Sequence, residues 1–108
     1  MIRVATIAFA GLFLIASLAS AQSAEKGKEV YTAQKCSICH SVAAVGNKKG
    51  PLDKVGAKLT GAELRNWIVG APEMAAKAKA ERKPPMKAYT TLAKEDVDNL
   101  VAYLQTLK

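Results

Sequence analysis

Two thiols stand three residues apart and an imidazole follows at once, in the run Cys36-Ser37-Ile38-Cys39-His40. Thiols at this separation can add to the two vinyl groups of one haem and form thioethers, and the next residue then brings its imidazole to the iron. The linkage holds the cofactor irreversibly. Three other readings use the same residues. A redox-active Cys-x-x-Cys pair calls for a strand–helix setting, whereas these flanks read as helix and loop. A zinc cage normally takes four ligands, and the chain has no Cys or His beyond these three. A short-loop disulfide is open to any chain that leaves the reducing cytosol. None of the three accounts for the rest of the sequence. The expectation is one haem c attached covalently at Cys36 and Cys39, with His40 as an axial ligand.

A second histidine ligand is excluded, because His40 is the only one. The sixth position falls to Met, Lys, water or nothing. Lys would first have to lose the proton of a normally cationic amine. Beyond the initiator, the methionines are Met74 and Met86. Met86 follows Pro84-Pro85 in a loop, and a loop stiffened by two prolines can hold a thioether toward an iron at little entropic cost. The plainer alternative is that Met86 fills a gap in the packing. Met74 falls in a possible Ala-rich helix and reads most simply as a packing residue.

The elements that must position these groups are helices. Ser23 can cap a helix from Ala24 to about Lys35, with Val30 and Tyr31 on its buried face and Gly27 one turn before Tyr31. Residues 41–58 are irregular and punctuated by Gly46, Gly50-Pro51 and Gly56, which reads as loop. Thr60 and Glu63 have the spacing of a capping box. Leu64, Trp67 and Ile68 follow at helical spacing, and Gly70 with Pro72 stops that helix. Pro72 can open a short helix from Glu73 to Ala80. Arg82 to Thr91 reads as loop. A last helix, Glu95 to Leu107, aligns Val97, Leu100, Val101, Leu104 and Leu107 on one face. Its first turn carries Glu95, Asp96 and Asp98, and Lys108 ends it, as the helix dipole favours. No segment shows strand alternation, and there are no repeats.

The first residues read differently. Met1-Ile2-Arg3 gives a short positive start, Val4 to Leu18 is mostly apolar, and Ala19-Ser20-Ala21 is a small-x-small cleavage site. This is the pattern of a secretory signal peptide, shorter than the ~20 apolar residues of a spanning helix. The expected division is a signal peptide over 1–21 and one domain over 22–108, with no stable membrane insertion after cleavage. Both Phe residues fall in the leader, so the domain keeps only Tyr31, Trp67, Tyr89 and Tyr103 as aromatics. That is thin material for a core, and a large apolar cofactor would fill the gap.

The ordered set of pieces resembles the class I cytochrome c family, especially its small single-haem bacterial members. The matching pieces are Gly27 and Tyr31, then Cys36-Ser-Ile-Cys39-His40, Gly50-Pro51, the Trp67 helix, Met86-Lys-Ala-Tyr89, and Val101-Ala-Tyr103-Leu104. The resemblance spans the domain. It implies an all-α cytochrome c fold, three to five helices wrapped around one covalently attached haem, with the N- and C-terminal helices crossing. It implies that Gly27 permits that crossing with Tyr103 packed nearby. Met86 would be the distal iron ligand opposite His40. The carbonyl of Pro51 would accept a hydrogen bond from the free ring nitrogen of His40 and fix the ring's orientation. Two positions depart from the pattern. The interval from Gly27 to Cys36 is one residue longer than usual, and Ala93 replaces the Ser or Thr that often caps the last helix.

A six-coordinate haem leaves no open position for a substrate and changes little between its two oxidation states. The expected function is therefore an exported, periplasmic or otherwise extracytoplasmic electron carrier, not an enzyme, acting as a monomer. The alternative is a haem enzyme or a gas or peroxide sensor with an open or labile sixth site. A third reading is an electron-entry or structural subunit of a larger oxidoreductase, against which the absence of an evident docking extension counts. The formal net charge is +7, and Lys77, Lys79, Arg82, Lys83 and Lys87 crowd around a single acid, Glu81. Lys48, Lys49, Lys54 and Lys58 populate the earlier loop. Such charge fits redox partner proteins with an acidic docking face, or simply a solvated surface. Nucleic acid is not expected as a partner of an exported haem protein.

Overall fold

Ser23 opens the first element of the computed structural model, which describes residues 22–108; the leader read over residues 1–21 lies outside the described residues. The Ser23 side chain accepts a hydrogen bond from the Lys26 amide at 3.2 Å and so caps helix α1, Ala24–Ala33. A single 3-10 turn, Cys36–Ile38, follows. Two short antiparallel strands come next, β1 (Ser41–Val42) and β2 (Val45–Gly46). Four further helices complete the chain: α2 (Val55–Lys58), α3 (Gly61–Val69), α4 (Ala71–Ala78) and α5 (Lys94–Gln105). The all-α expectation of three to five helices holds. No helix among the described residues is long and apolar enough to cross a membrane.

Helix α3 begins as its sequence predicts. Thr60 accepts from the Glu63 amide at 3.2 Å while the Glu63 carboxylate accepts from the Thr60 amide at 3.1 Å, a complete capping box. Gly70 then serves two helices, ending α3 through its bond to the Asn66 carbonyl and starting α4. The short helix therefore spans Ala71–Ala78 rather than starting at Glu73, because Pro72 is accommodated in its first turn. At α5, Ala93 occupies the cap position and offers no side-chain hydrogen bond.

The core sits between α1, α3 and α5. Tyr31, Leu64, Ile68, Val97, Leu100, Val101, Tyr103 and Leu104 form one buried cluster. Full burial of each aliphatic member contributes about 1.5–3 kcal/mol relative to exposure. Gly27 is the point of closest approach between α1 and α5. A Cβ there would run into the Asn99 carbonyl oxygen and lie 2.7 Å from Cβ of Tyr103. Tyr31 and Tyr103 meet edge to face beside it, with ring centroids 5.6 Å apart. The crossing of the first and last helices at Gly27 thus stands, with Tyr103 where the resemblance placed it. Asn99 is buried within this apolar seam, and its side-chain oxygen accepts from the Ser23 amide at 2.9 Å. Arg65 of α3 pairs with Asp98 of α5 across the outer edge.

Two features of residues 41–58 differ from the loop expected there. The hairpin β1–β2 turns through Ala43 and Ala44, both with positive φ, at 49° and 64°. This two-residue geometry normally advertises itself by Asn or Gly. Asp53 supports it by accepting from the Ala43 amide at 2.6 Å. The short helix α2 docks on the end of α5, where the Gly56 amide donates to the Leu107 carbonyl at 2.7 Å.

Candidate functional site

Lys35 adopts a left-handed backbone, φ 57°, and this bends the chain out of α1 and into the turn that carries the two thiols. Helix α1 accordingly stops at Ala33, short of the Lys35 limit read from the sequence. The amides of Cys39 and His40 both donate to the Cys36 carbonyl, at 3.1 and 2.9 Å. That closed turn brings Cys36, Cys39 and His40 together. Both thiols are free and half-buried. The Cys36 thiol is pushed up to about 11, first by burial. Redox-active Cys-x-x-Cys pairs show the opposite, a lowered thiol pKa at the head of a helix after a strand. Among the described residues no three His, Cys, Asp or Glu side chains converge to hold a metal ion.

His40 is held through its ring. Nδ1 lies 3.0 Å from the Gly50 carbonyl oxygen, which can only accept, so the proton sits on Nδ1 and the lone pair of Nε2 is left for a metal. Burial, the largest influence, lowers the pKa of His40; the Gly50 hydrogen bond opposes it and the nearby Arg82 cation adds to it. A neutral imidazole is the form that ligates iron.

The partner of His40 corrects one expectation. The accepting carbonyl belongs to Gly50 and not to Pro51. Ser41 and Pro51 form an isolated parallel bridge, in which the Ser41 amide donates to Gly50 and the Leu52 amide donates to Ser41, at 3.1 and 2.9 Å. In a parallel pairing the bonded groups belong to the residues on either side of the paired one. The carbonyl of Pro51 therefore turns away, and its missing N–H costs nothing there.

One residue of the site escaped the sequence reading. The Asn47 amide donates to the carbonyls of Ser37 and His40, at 3.0 and 2.9 Å, and its side-chain amide donates to the Ile38 carbonyl at 3.0 Å. Its side-chain oxygen accepts from the Lys49 amide at 3.0 Å. Asn47 thus fastens the attachment turn from behind and starts the turn that delivers Gly50. The Gly46-Asn47 pair was the available signal, and it read only as a loop.

Met86 lies half-buried in the segment between α4 and α5. That segment is anchored to α3 where the Tyr89 amide donates to the Ile68 carbonyl at 2.9 Å. The Lys87 ammonium stands 4.9 Å over the Tyr89 ring, and its charge reaches Cys36. Tyr89 has its pKa raised, first by burial and then by Cys36 and Cys39. The residues just after Met86 are thus within electrostatic reach of the thiols. Met74 is also half-buried, on α4.

The donor set fits a c-type haem. Two uncrosslinked thiols supply thioether positions, and a neutral, oriented imidazole beside them keeps one ring nitrogen for iron. A family model described as Cytochrome c matches residues 24–108. No curated protein and no solved structure gives a match.

Proposed function

The chain belongs to the cytochrome c family and carries a covalently bound haem c, and from that premise we propose that it is an exported single-electron carrier with His40 and Met86 as its axial ligands. The bound haem supplies a one-electron Fe(III)/Fe(II) couple, which a thioether ligand shifts toward the reduced state. The observation that carries the reading is the His40 ring, tied at Nδ1 to Gly50 beside two free thiols. Cys36 and Cys39 anchor the cofactor, and the Asn47 bonds keep the peptide between them in one conformation. Met86 is favoured as the other ligand because it lies half-buried in the segment that the Tyr89–Ile68 hydrogen bond ties to α3. With His40 and Met86 both holding the iron, no position would remain for a substrate, and the protein would work as a carrier rather than a catalyst. Export is supported by the leader pattern of residues 1–21, which points to a periplasmic or other extracytoplasmic site. The loop cations Lys77, Lys79, Arg82, Lys83 and Lys87 are all exposed and suit an acidic redox partner.

Paired substitutions test the ligand. Met86→Ala is expected to lose the ferric iron–sulfur charge-transfer band, lower the potential and admit carbon monoxide. Met74→Ala should leave all three unchanged. The reverse result moves the ligand to Met74. If neither variant alters the spectrum, no methionine binds the iron and an open-site enzyme or sensor replaces the carrier.

A further inference from the structure

We infer that Arg82 tunes the strength of the His40 ligand by acting on the peptide carbonyl that holds its ring. The inference rests on the reading of His40 as an axial ligand. Three groups meet at Gly50. Its carbonyl accepts from His40 Nδ1 at 3.0 Å and from the Ser41 amide at 3.1 Å. The Arg82 guanidinium fills the space that a side chain at residue 50 would need, with Cζ 2.9 Å from the position of a Cβ, and the Cys39 carbonyl borders the same space. Only glycine admits this approach. Arg82 makes no ion pair among the described residues, so no carboxylate neutralises the cation there.

The chemistry follows from what a carbonyl does for an imidazole. A strong acceptor draws the Nδ1 proton, makes Nε2 more basic and favours ferric iron. Here the acceptor is shared with a second N–H, and a cation lies against the same peptide. Both withdraw electron density from the carbonyl, so His40 donates to a weaker acceptor and binds as a less basic ligand. The cation also opposes the extra positive charge of the ferric state directly. Both effects raise the potential. Arg82 lies in the same inter-helix segment as Met86, so this one segment would bear on both proposed ligands.

The test is a redox titration of the holoprotein at low ionic strength, comparing wild type with Arg82→Gln, Arg82→Lys and Lys83→Gln. The ferric iron–sulfur band is recorded in every sample, so a change of ligand set is seen separately. With the band intact, Arg82→Gln should raise the ferric-to-ferrous ratio about threefold at fixed potential, a downward shift of about 30 mV for a one-electron couple. The His40 Nδ1 proton resonance should shift with it, which mere loss of packing would not cause. Arg82→Lys should keep most of the wild-type ratio, and Lys83→Gln should move it by less than half as much. An unchanged ratio in Arg82→Gln overturns the proposal. So does a Lys83→Gln shift of equal size, which would reduce Arg82 to one surface charge among several, or an Arg82→Lys variant that behaves as Arg82→Gln. Loss of the band in wild type itself would instead count against the His/Met reading.

Discussion

The Tyr31 hydroxyl is buried and has no hydrogen-bond partner among the described residues, although its ring belongs to the core. Its pKa is pushed up to about 12, first by burial and then by Cys36, Tyr103 and Asp53, from an ordinary 10.0. The folded protein thus holds this proton more tightly than the unfolded chain does. The corresponding stability is complete below about pH 10 and is lost as pH rises toward about 12. Tyr31→Phe should remove that part of the alkaline loss and be neutral or mildly stabilising at pH 7, since an unmade hydrogen bond disappears with the hydroxyl. Urea titrations at pH 7 and pH 11 check this; an identical alkaline loss in both proteins would refute it. The site residues differ in how far they were legible. Cys36, Cys39 and His40 announce themselves because their chemistry depends on sequence spacing alone. The carbonyl that holds His40 does not, because adjacent peptides face opposite ways in the Ser41–Pro51 bridge and only the register tells which one points inward.

Helix ends are the elements whose signals can be changed one residue at a time. Thr60→Ala removes one side of a complete capping box and should cost about 1 kcal/mol. Ala93→Ser should gain a similar amount, because residue 93 already has the extended backbone of a cap, φ −58° and ψ 146°, and lacks only the oxygen. In a domain of this size each change corresponds to a shift of about 4–8 °C in Tm, read by thermal unfolding of the holoprotein. Opposite signs for the two variants are the expected result; a loss of stability in Ala93→Ser would show that the start of α5 is constrained by packing instead. Capping residues made α1 and α3 readable because the bonds they form are local. The hairpin β1–β2 was unreadable for the complementary reason. Ala43 and Ala44 carry no turn signal, and they hold positive φ only because Asp53 and the bridge to Pro51 fix the flanks from outside.

Charge acts over the whole molecule. Exposed Lys77, Lys79, Arg82, Lys83 and Lys87 lie on the stretch that leads into and past Met86. They are expected to steer an acidic partner toward the site, so the association rate with the native partner should fall as salt is added. Reversing Lys77, Lys79, Lys83 and Lys87 to Glu should lower the low-salt rate by at least tenfold and flatten its salt dependence. Stopped-flow electron transfer over a range of ionic strength measures both quantities, and a rate indifferent to salt removes the steering role. The large-scale arrangement was legible in outline, since the apolar face of α5 and the small residue at Gly27 are both visible in the chain. Asn99 was not expected in that seam, because a polar side chain reads as exposed until its distant partner, the Ser23 amide, is known.

The close passage of α5 over Gly27 also sets an order of events in the making of the protein. In chain order α1 and the Cys36–His40 turn come before the helix that closes over α1, with all the other described helices between them. Until then the loop spanning the two helices is open, and its closure requires contacts between residues as far apart as Ser23 and Asn99. Cys36 and Cys39 therefore pass through an interval in which haem can reach them without prying apart a finished structure. Arrival of the last helix ends that interval.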